Sequence, residues 1–239
     1  PFDVITRPVQ PENVNHLDDG DYEPFVGYHP MNDFCGIADD KRGVTVAGDG
    51  FMEYEILPMR NTVTVTLLRA TDRLHVGVLG AGSKFKIPEA QLLGRQSYRY
   101  AFIPSAGGYE AALPAVERFR HPVQMVQKDF LEAECMPAYQ PQPQNLPQSA
   151  GFLSVKGGVV TTCLKPAEDG NGVILRFYNP TGREQPVEVA LDPEWKLANA
   201  YEVRLDESQE TPVTVENNGF RLTAGAKKIL TFRLFPEKR

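Results

Sequence analysis

Residues 61–68 read Asn-Thr-Val-Thr-Val-Thr-Leu-Leu. Val63, Val65 and Leu67 fall on one side of this run and Thr62, Thr64 and Thr66 on the other. That is a period of two, which marks a β-strand with one face buried. Cβ-branched residues suit such a pleated surface. The same alternation spreads outward. Residues 43–47 (Gly-Val-Thr-Val-Ala) repeat it, and 51–57 set Met52, Tyr54 and Ile56 against Phe51, Glu53 and Glu55. Residues 97–103 place Tyr98, Tyr100 and Phe102 together. Asp19-Gly20, Asp49-Gly50, Gly80-Ala81-Gly82 and Gly107-Gly108 punctuate these runs as turns. Residues 109–120 are the one helix candidate, and Pro114 inside them predicts a short or kinked turn.

From Pro137 the composition changes. Pro137, Pro141, Pro143 and Pro147 fall in a run with few apolar anchors, which reads as an extended connection. We therefore expect three parts: a β-sandwich portion over 1–136, a Pro-rich linker over 137–151 and a second β-sandwich over 152–239. Strands are expected in the last part at 158–164, 173–178, 186–191, 200–205, 219–223 and 228–235. The expected inward sets are Val160/Leu164, Val173/Leu175/Phe177, Val187/Val189/Leu191, Tyr201/Val203/Leu205, Phe220/Leu222 and Leu230/Phe232/Leu234. Short strands at this spacing, separated by polar turns such as Asn217-Asn218-Gly219, predict an antiparallel sandwich. The fold class is all-β.

Composition closes off other classes. The chain has 239 residues, with 25 Lys+Arg against 31 Asp+Glu and 20 each of Gly and Pro. A net charge of −6 without a basic cluster gives no nucleic-acid footprint. No stretch is long and apolar enough for a membrane helix. Cys35, Cys135 and Cys163 are odd in number and form no C-x-x-C, so neither a disulfide framework nor a zinc knuckle is indicated. Free thiols fit a reducing compartment, so a cytoplasmic location is expected. The chain opens Pro1-Phe2-Asp3 without an initiator methionine, which reads as a piece of something longer.

Chemistry-bearing residues are sparse. Glu53 and Glu55 share a strand face, as a carboxylate pair of a glycosidase requires, and as any solvated strand face provides. Asp18-Asp19, Asp39-Asp40 and Asp33 supply oxygen ligands for Ca²⁺ without EF-hand spacing, and solvated turn residues are the default reading. His16, His29, His75 and His121 lie singly, and a zinc site needs three or four converging groups. Gly80-Ala81-Gly82 and Gly107-Gly108 match no phosphate-binding pattern and are expected to precede no helix. No catalytic residue and no metal ligand is assigned.

Three segments carry a resemblance. Residues 29–56 include Asp-Lys-Arg-Gly-Val-Thr-Val-Ala-Gly-Asp-Gly-Phe-Met-Glu-Tyr-Glu, followed by Thr64-Val-Thr-Leu-Leu-Arg69. Residues 88–110 run from Pro-Glu-Ala-Gln to Ala-Gly-Gly-Tyr-Glu. Residues 157–179 contain Leu-Lys-Pro-Ala-Glu-Asp and Ile-Leu-Arg-Phe-Tyr-Asn. In this order they resemble the C-terminal region of bacterial α-mannosidases of glycoside hydrolase family 38, with a mannosylglycerate-hydrolase-like branch included. The resemblance implies a supersandwich-like portion followed by a smaller terminal sandwich. It implies that the nucleophile, the acid/base residue and the Zn²⁺ ligands lie on an upstream catalytic barrel, the partner of this region in one polypeptide. The parent would hydrolyse α-mannosides with retention, zinc binding the sugar hydroxyls. The C-terminal region would pack on the barrel and complete the rim of its site. Glu53, Tyr54 and Arg69 are the rim candidates, and the Lys165–Asp169 turn with Arg176 is expected to be structural, Arg176 pairing with Glu168 or Asp169.

Two alternatives stand beside this. One is a sugar-binding module using Trp195 in an exposed turn, with Tyr109 and Tyr139 as further candidates. The other is a mutarotase-like enzyme pairing His29 or His75 with Glu53. An apolar surface that the barrel would cover, and homo-oligomer formation, are further expectations.

Overall fold

The computed structural model describes residues 3–7, 27–57, 60–71, 86–126 and 149–239. The chain divides into two compact units, Arg7–Gln124 and Met125–Arg239, the latter joined by Pro1–Thr6. The division falls ahead of the Pro-rich run, whose residues 137–148 lie outside the described ones. The first six residues group with the second unit, rather than with 7–136: Lys227 Nζ lies 2.6 Å from the Asp3 carboxylate and donates to the Val4 carbonyl at 3.0 Å.

Among the described residues the preceding unit holds two three-stranded antiparallel sheets. One orders β1 (Tyr28–Pro30), β4 (Glu53–Leu57) and β5 (Thr62–Val65); the other orders β2 (Phe34–Ala38), β3 (Gly43–Gly48) and β6 (Tyr100–Ser105). Their apolar faces meet where Met31, Cys35, Val46 and Phe51 are buried against Tyr54, Val63 and Val65. Gly48 permits this contact: a Cβ there would sit 2.1 Å from Phe51 Cδ2. Phe51 therefore turns inward just before β4 begins, leaving the glutamate side of the strand on which alternation alone places it. Met52 takes the opposite course and is exposed.

One α-helix, α1 (Tyr109–Arg120), packs on β6 and β3. It runs a full three turns with Pro114 inside, longer than the short or kinked turn expected. Buried Ala112, Leu113 and Val116 supply tertiary packing that outweighs the missing proline N–H. Gly107-Gly108 does precede a helix: Gly108 is its N-cap. Arg120 clamps the last turn to Asp33 at 3.0 Å, and Arg99 stacks on Phe119 at 4.5 Å.

The second unit is an antiparallel sandwich. Its smaller sheet orders β13 (Gly219–Ala224), β10 (Gln185–Leu191) and β7 (Leu153–Lys156). The larger orders β12 (Thr211–Val213), β11 (Trp195–Val203), β14 (Ile229–Lys238), β9 (Val173–Tyr178) and β8 (Val160–Pro166). Val187, Val189 and Leu191 face Leu175, Phe177, Phe232 and Leu234 across one core. Phe232 lies between Phe177 at 5.5 Å and Phe220 at 4.9 Å.

Two inward sets differ from expectation. In β8 a shift between Thr161 and Cys163 breaks the alternation that grouped Val160 with Leu164: Val160 lies opposite Tyr178, while Leu164 lies opposite the core residue Leu175 and is exposed on this outer strand. In β11 a shift between Leu197 and Asn199 puts Leu197 and Ala200 in the core, while Leu205 lies beyond the strand and is exposed.

The segment resembling family 38 is held by polar ties. Arg176 does not pair with Glu168 or Asp169; its Nε donates to Thr231 Oγ1 at 3.0 Å and its Nη2 to the Leu205 carbonyl at 2.9 Å. Asp169 instead meets Arg233 at 2.7 Å. Lys165 bridges Glu168 and Glu207, and Glu207 also accepts the Glu168 N–H at 2.9 Å. These contacts tie the loop 204–210 to the β8–β9 turn and the larger sheet. The fully buried Asn179 directs Nδ2 at the carbonyls of Arg183, Ala224 and Gly225, and its Oδ1 accepts from Thr181. A buried amide this well satisfied fixes the chain crossing after β9.

Candidate functional site

Alternation along β4 decides which candidate residues meet. Glu53 and Glu55 project from the outer face of the β1–β4–β5 sheet, while Tyr54 and Ile56 project from the inner one. On the outer face, the hydroxyl of Thr66 donates to Glu53 Oε1 at 2.7 Å and Arg69 Nη1 donates to Oε2 at 3.0 Å. Both carboxylate oxygens are thus engaged, and charge-assisted bonds of this kind fix a carboxylate's orientation. Glu53 is about four-fifths buried at the side chain while Arg69 is largely exposed.

Tyr54 belongs to the other face. It packs on the apolar cluster, with His29 at 5.6 Å and the Arg7 guanidinium at 6.0 Å from its ring. Burial, then the nearby Arg7 charge, lowers the His29 pKa below its ordinary value. The structure therefore brings Glu53 and Arg69 together and separates Tyr54 from them. It also separates His29 from Glu53: His29 stands opposite Tyr54 in the β1–β4 register, so it faces inward. His75, His16, Tyr139 and the Asp18-Asp19 doublet lie outside the described residues.

The other acidic candidates are occupied locally. Asp39 Oδ1 accepts the N–H groups of Lys41 and Arg42, both at 2.8 Å, and these bonds lower its pKa. Asp33 is held by Arg120. Among the described residues no group of three or more His, Cys, Asp or Glu converges as a metal site. The described residues therefore do not fit a zinc centre.

Trp195 opens β11 instead of lying in an exposed turn. It is half-buried, edge-on to Phe152 at 5.2 Å, and packs on the sandwich core. Asn218, at φ +65° in the turn before β13, fixes this corner: its Nδ2 donates to the Trp195 carbonyl and its Oδ1 accepts the Leu197 N–H. A shallow hollow of about 560 Å³ lies on the smaller sheet, lined by Lys156, Glu188 and Arg221 among others. Arg221 holds Glu188 at 2.7 Å and lowers its pKa. Lys156 lies 3.6 Å from the same carboxylate, so Glu188 is paired on both sides.

Sequence reasoning passed over Arg233 and Glu207, the most deeply placed charges of the second unit. Arg233 shares with Thr231 the alternate positions of 230–234, which alternation assigns to the solvent face, so its burial under Asp169 and the 204–210 loop carries no local signal.

The geometry describes polar faces and tie points on β-sandwich scaffolding. Its class is an antiparallel sandwich module. Residues 158–232 match the family of glycosyl hydrolases family 38 C-terminal beta sandwich domains. The second unit therefore carries a stretch similar to that family's domain, and the resemblance read from residues 157–179 is borne out. A putative mannosylglycerate hydrolase of Halalkalibacterium halodurans is 31% identical over 179 residues, covering 75% of this chain and 18% of that protein.

Two solved structures share the fold along 98% of the chain. One is an alpha-mannosidase from Enterococcus faecalis V583, with TM-score 0.68, 21% identity and 23% of that chain covered. The other is a family 38 protein from Enterococcus faecalis, with TM-score 0.62, 20% identity and 24% covered. The chain spans less than a quarter of the length of these proteins.

Proposed function

We propose that this chain is the non-catalytic C-terminal β-sandwich region of a glycoside hydrolase acting on α-mannosides, mannosylglycerate included. The observation that carries this is the 31% identity over three quarters of the chain to a putative mannosylglycerate hydrolase. In this reading the region packs on a catalytic barrel of the same polypeptide. The Glu53–Arg69 pair contributes to the rim of the barrel's site, where a locked, charged pair orients sugar hydroxyls without exchanging protons. The full protein hydrolyses its substrate with retention of configuration. Zinc, in that reading, supplies Lewis-acid binding of sugar hydroxyls on the barrel, and the described residues of this chain take no part in holding it.

No helix among the described residues is long and apolar enough to cross a membrane. Cys35 and Cys163 are unbridged, which supports a reducing, cytoplasmic location.

The test compares the purified 239-residue chain with the full product of its gene on a chromogenic α-mannoside and on mannosylglycerate. Hydrolysis by the full product alone is expected. Turnover by the isolated chain would overturn the reading.

A further inference from the structure

We propose that the aromatic side of β6 is a docking surface for an apolar, uncharged face of the polypeptide that precedes this chain in the longer protein. This rests on the function proposed above and names the surface through which the two parts meet. Among the described residues β6 is the edge strand of its sheet. The helix α1 packs on this sheet, while Tyr98, Tyr100 and Phe102 are 37%, 51% and 68% exposed. The buried cluster on the same sheet stops at Val46 and Phe51, so these rings continue an apolar face beyond its cover. Contiguous exposed apolar surface of this kind marks an interaction site.

The ring geometry selects the occupant. Tyr100 and Phe102 meet at 5.5 Å and 74°, edge to face. Phe51 touches Tyr98 at 6.2 Å and Tyr100 at 6.3 Å, each tilted. Crossed rings offer no shared plane for a row of sugar rings; they interlock as core side chains do. The adjoining charges, Arg99 and Asp49, pair with each other at 3.4 Å, so the border recruits no ion. Pro104 removes an N–H from the edge strand, which disfavours lengthening the sheet. The cover is therefore a facing layer. Proteins similar to this chain are more than four times its length and contain the polypeptide needed to supply it.

Hydroxyl-radical footprinting read by mass spectrometry tests this on the isolated chain and on the full gene product. Tyr98, Tyr100 and Phe102 should oxidise several-fold more slowly in the full product. Phe102→Lys should lower the melting temperature of the full product and leave that of the isolated chain unchanged. Equal oxidation in both samples overturns the inference, and leaves the functional reading intact if the full product hydrolyses α-mannosides. Protection that rises with concentration of the isolated chain, with a dimer in sedimentation, assigns the surface to a second copy and overturns it. Protection by methyl α-mannoside assigns it to sugar and does the same. A gene product no longer than this chain removes both readings.

Discussion

The two units use the same alternating strands to different ends. In the terminal sandwich, both sheets bring rows of apolar side chains to one core, and Phe177, Phe232 and Leu234 are essentially inaccessible. In the preceding unit, the buried cluster between the sheets is only Met31, Cys35, Val46 and Phe51 among the described residues, and aromatic rings stay exposed beside it. A closed core carries its own stability; an open one depends on what covers it. The difference separates a self-sufficient module from one whose packing is unfinished within the described residues.

The comparison breaks most readily at Phe232. Phe232→Ala removes the ring between Phe177 and Phe220, and should cost about 3–5 kcal/mol. Denaturant unfolding followed by Trp195 fluorescence measures it. A loss below about 1 kcal/mol would mean that the core relaxes into the cavity and is less tightly closed than described.

Acid should act next, and the terminal sandwich carries two carboxylates that respond to it. Lys165, then the Glu168 N–H, lowers the Glu207 pKa; the Asn171 N–H, then Arg233, lowers that of Asp169. Both carboxylates bind protons less readily folded than unfolded. Their stabilisation is complete above the ordinary carboxylate range, near pH 4, and is lost as pH falls through the lowered values. The melting temperature of this unit should therefore fall between about pH 5 and pH 2. Glu207→Gln should flatten that slope, and an unchanged slope would remove the loop tie from the account.

The smallest effect sharpens the comparison from the other side. Arg69→Ala should cost no more than about 1 kcal/mol in the isolated chain, because the guanidinium is largely solvated. The same substitution in the full product reports on the rim reading through KM for the α-mannoside. A larger loss of stability in the isolated chain would show that the pair is structural.

The closed unit was also the more legible one. Regular alternation placed Val187, Val189, Leu191, Phe232 and Leu234 correctly, because a half-buried strand exposes its period in the residue types. Legibility failed where the backbone departs from two-residue periodicity. The irregularities in β8 and β11 reassigned Val160, Leu197 and Ala200, and nothing in side-chain identity announces a bulge. The short strands β1, β7 and β12 lack enough residues to show a period. Pro114 misled because tertiary packing overrides a local helix penalty.

At the candidate site, alternation already set Glu53 and Tyr54 on opposite faces, whereas their shared segment grouped them. The Glu53–Arg69 contact spans 16 residues and depends on how the chain leaves β5, which no local pattern encodes. The resemblance in residues 157–179 proved to rest on residues that build the fold: Lys165, Asp169, Arg176 and Asn179 all bind other parts of the sandwich. A motif can be specific to a family while recording only how that family folds.

Cys35 gives the preceding unit a built-in chemical clock. Its side chain is enclosed with Met31, Val46 and Phe51, and burial pushes its thiol pKa up to about 12. Only the thiolate reacts with alkylating reagents, so the folded unit presents almost none. Labelling of Cys35 therefore proceeds through transient opening of the two small sheets, and its rate counts those openings.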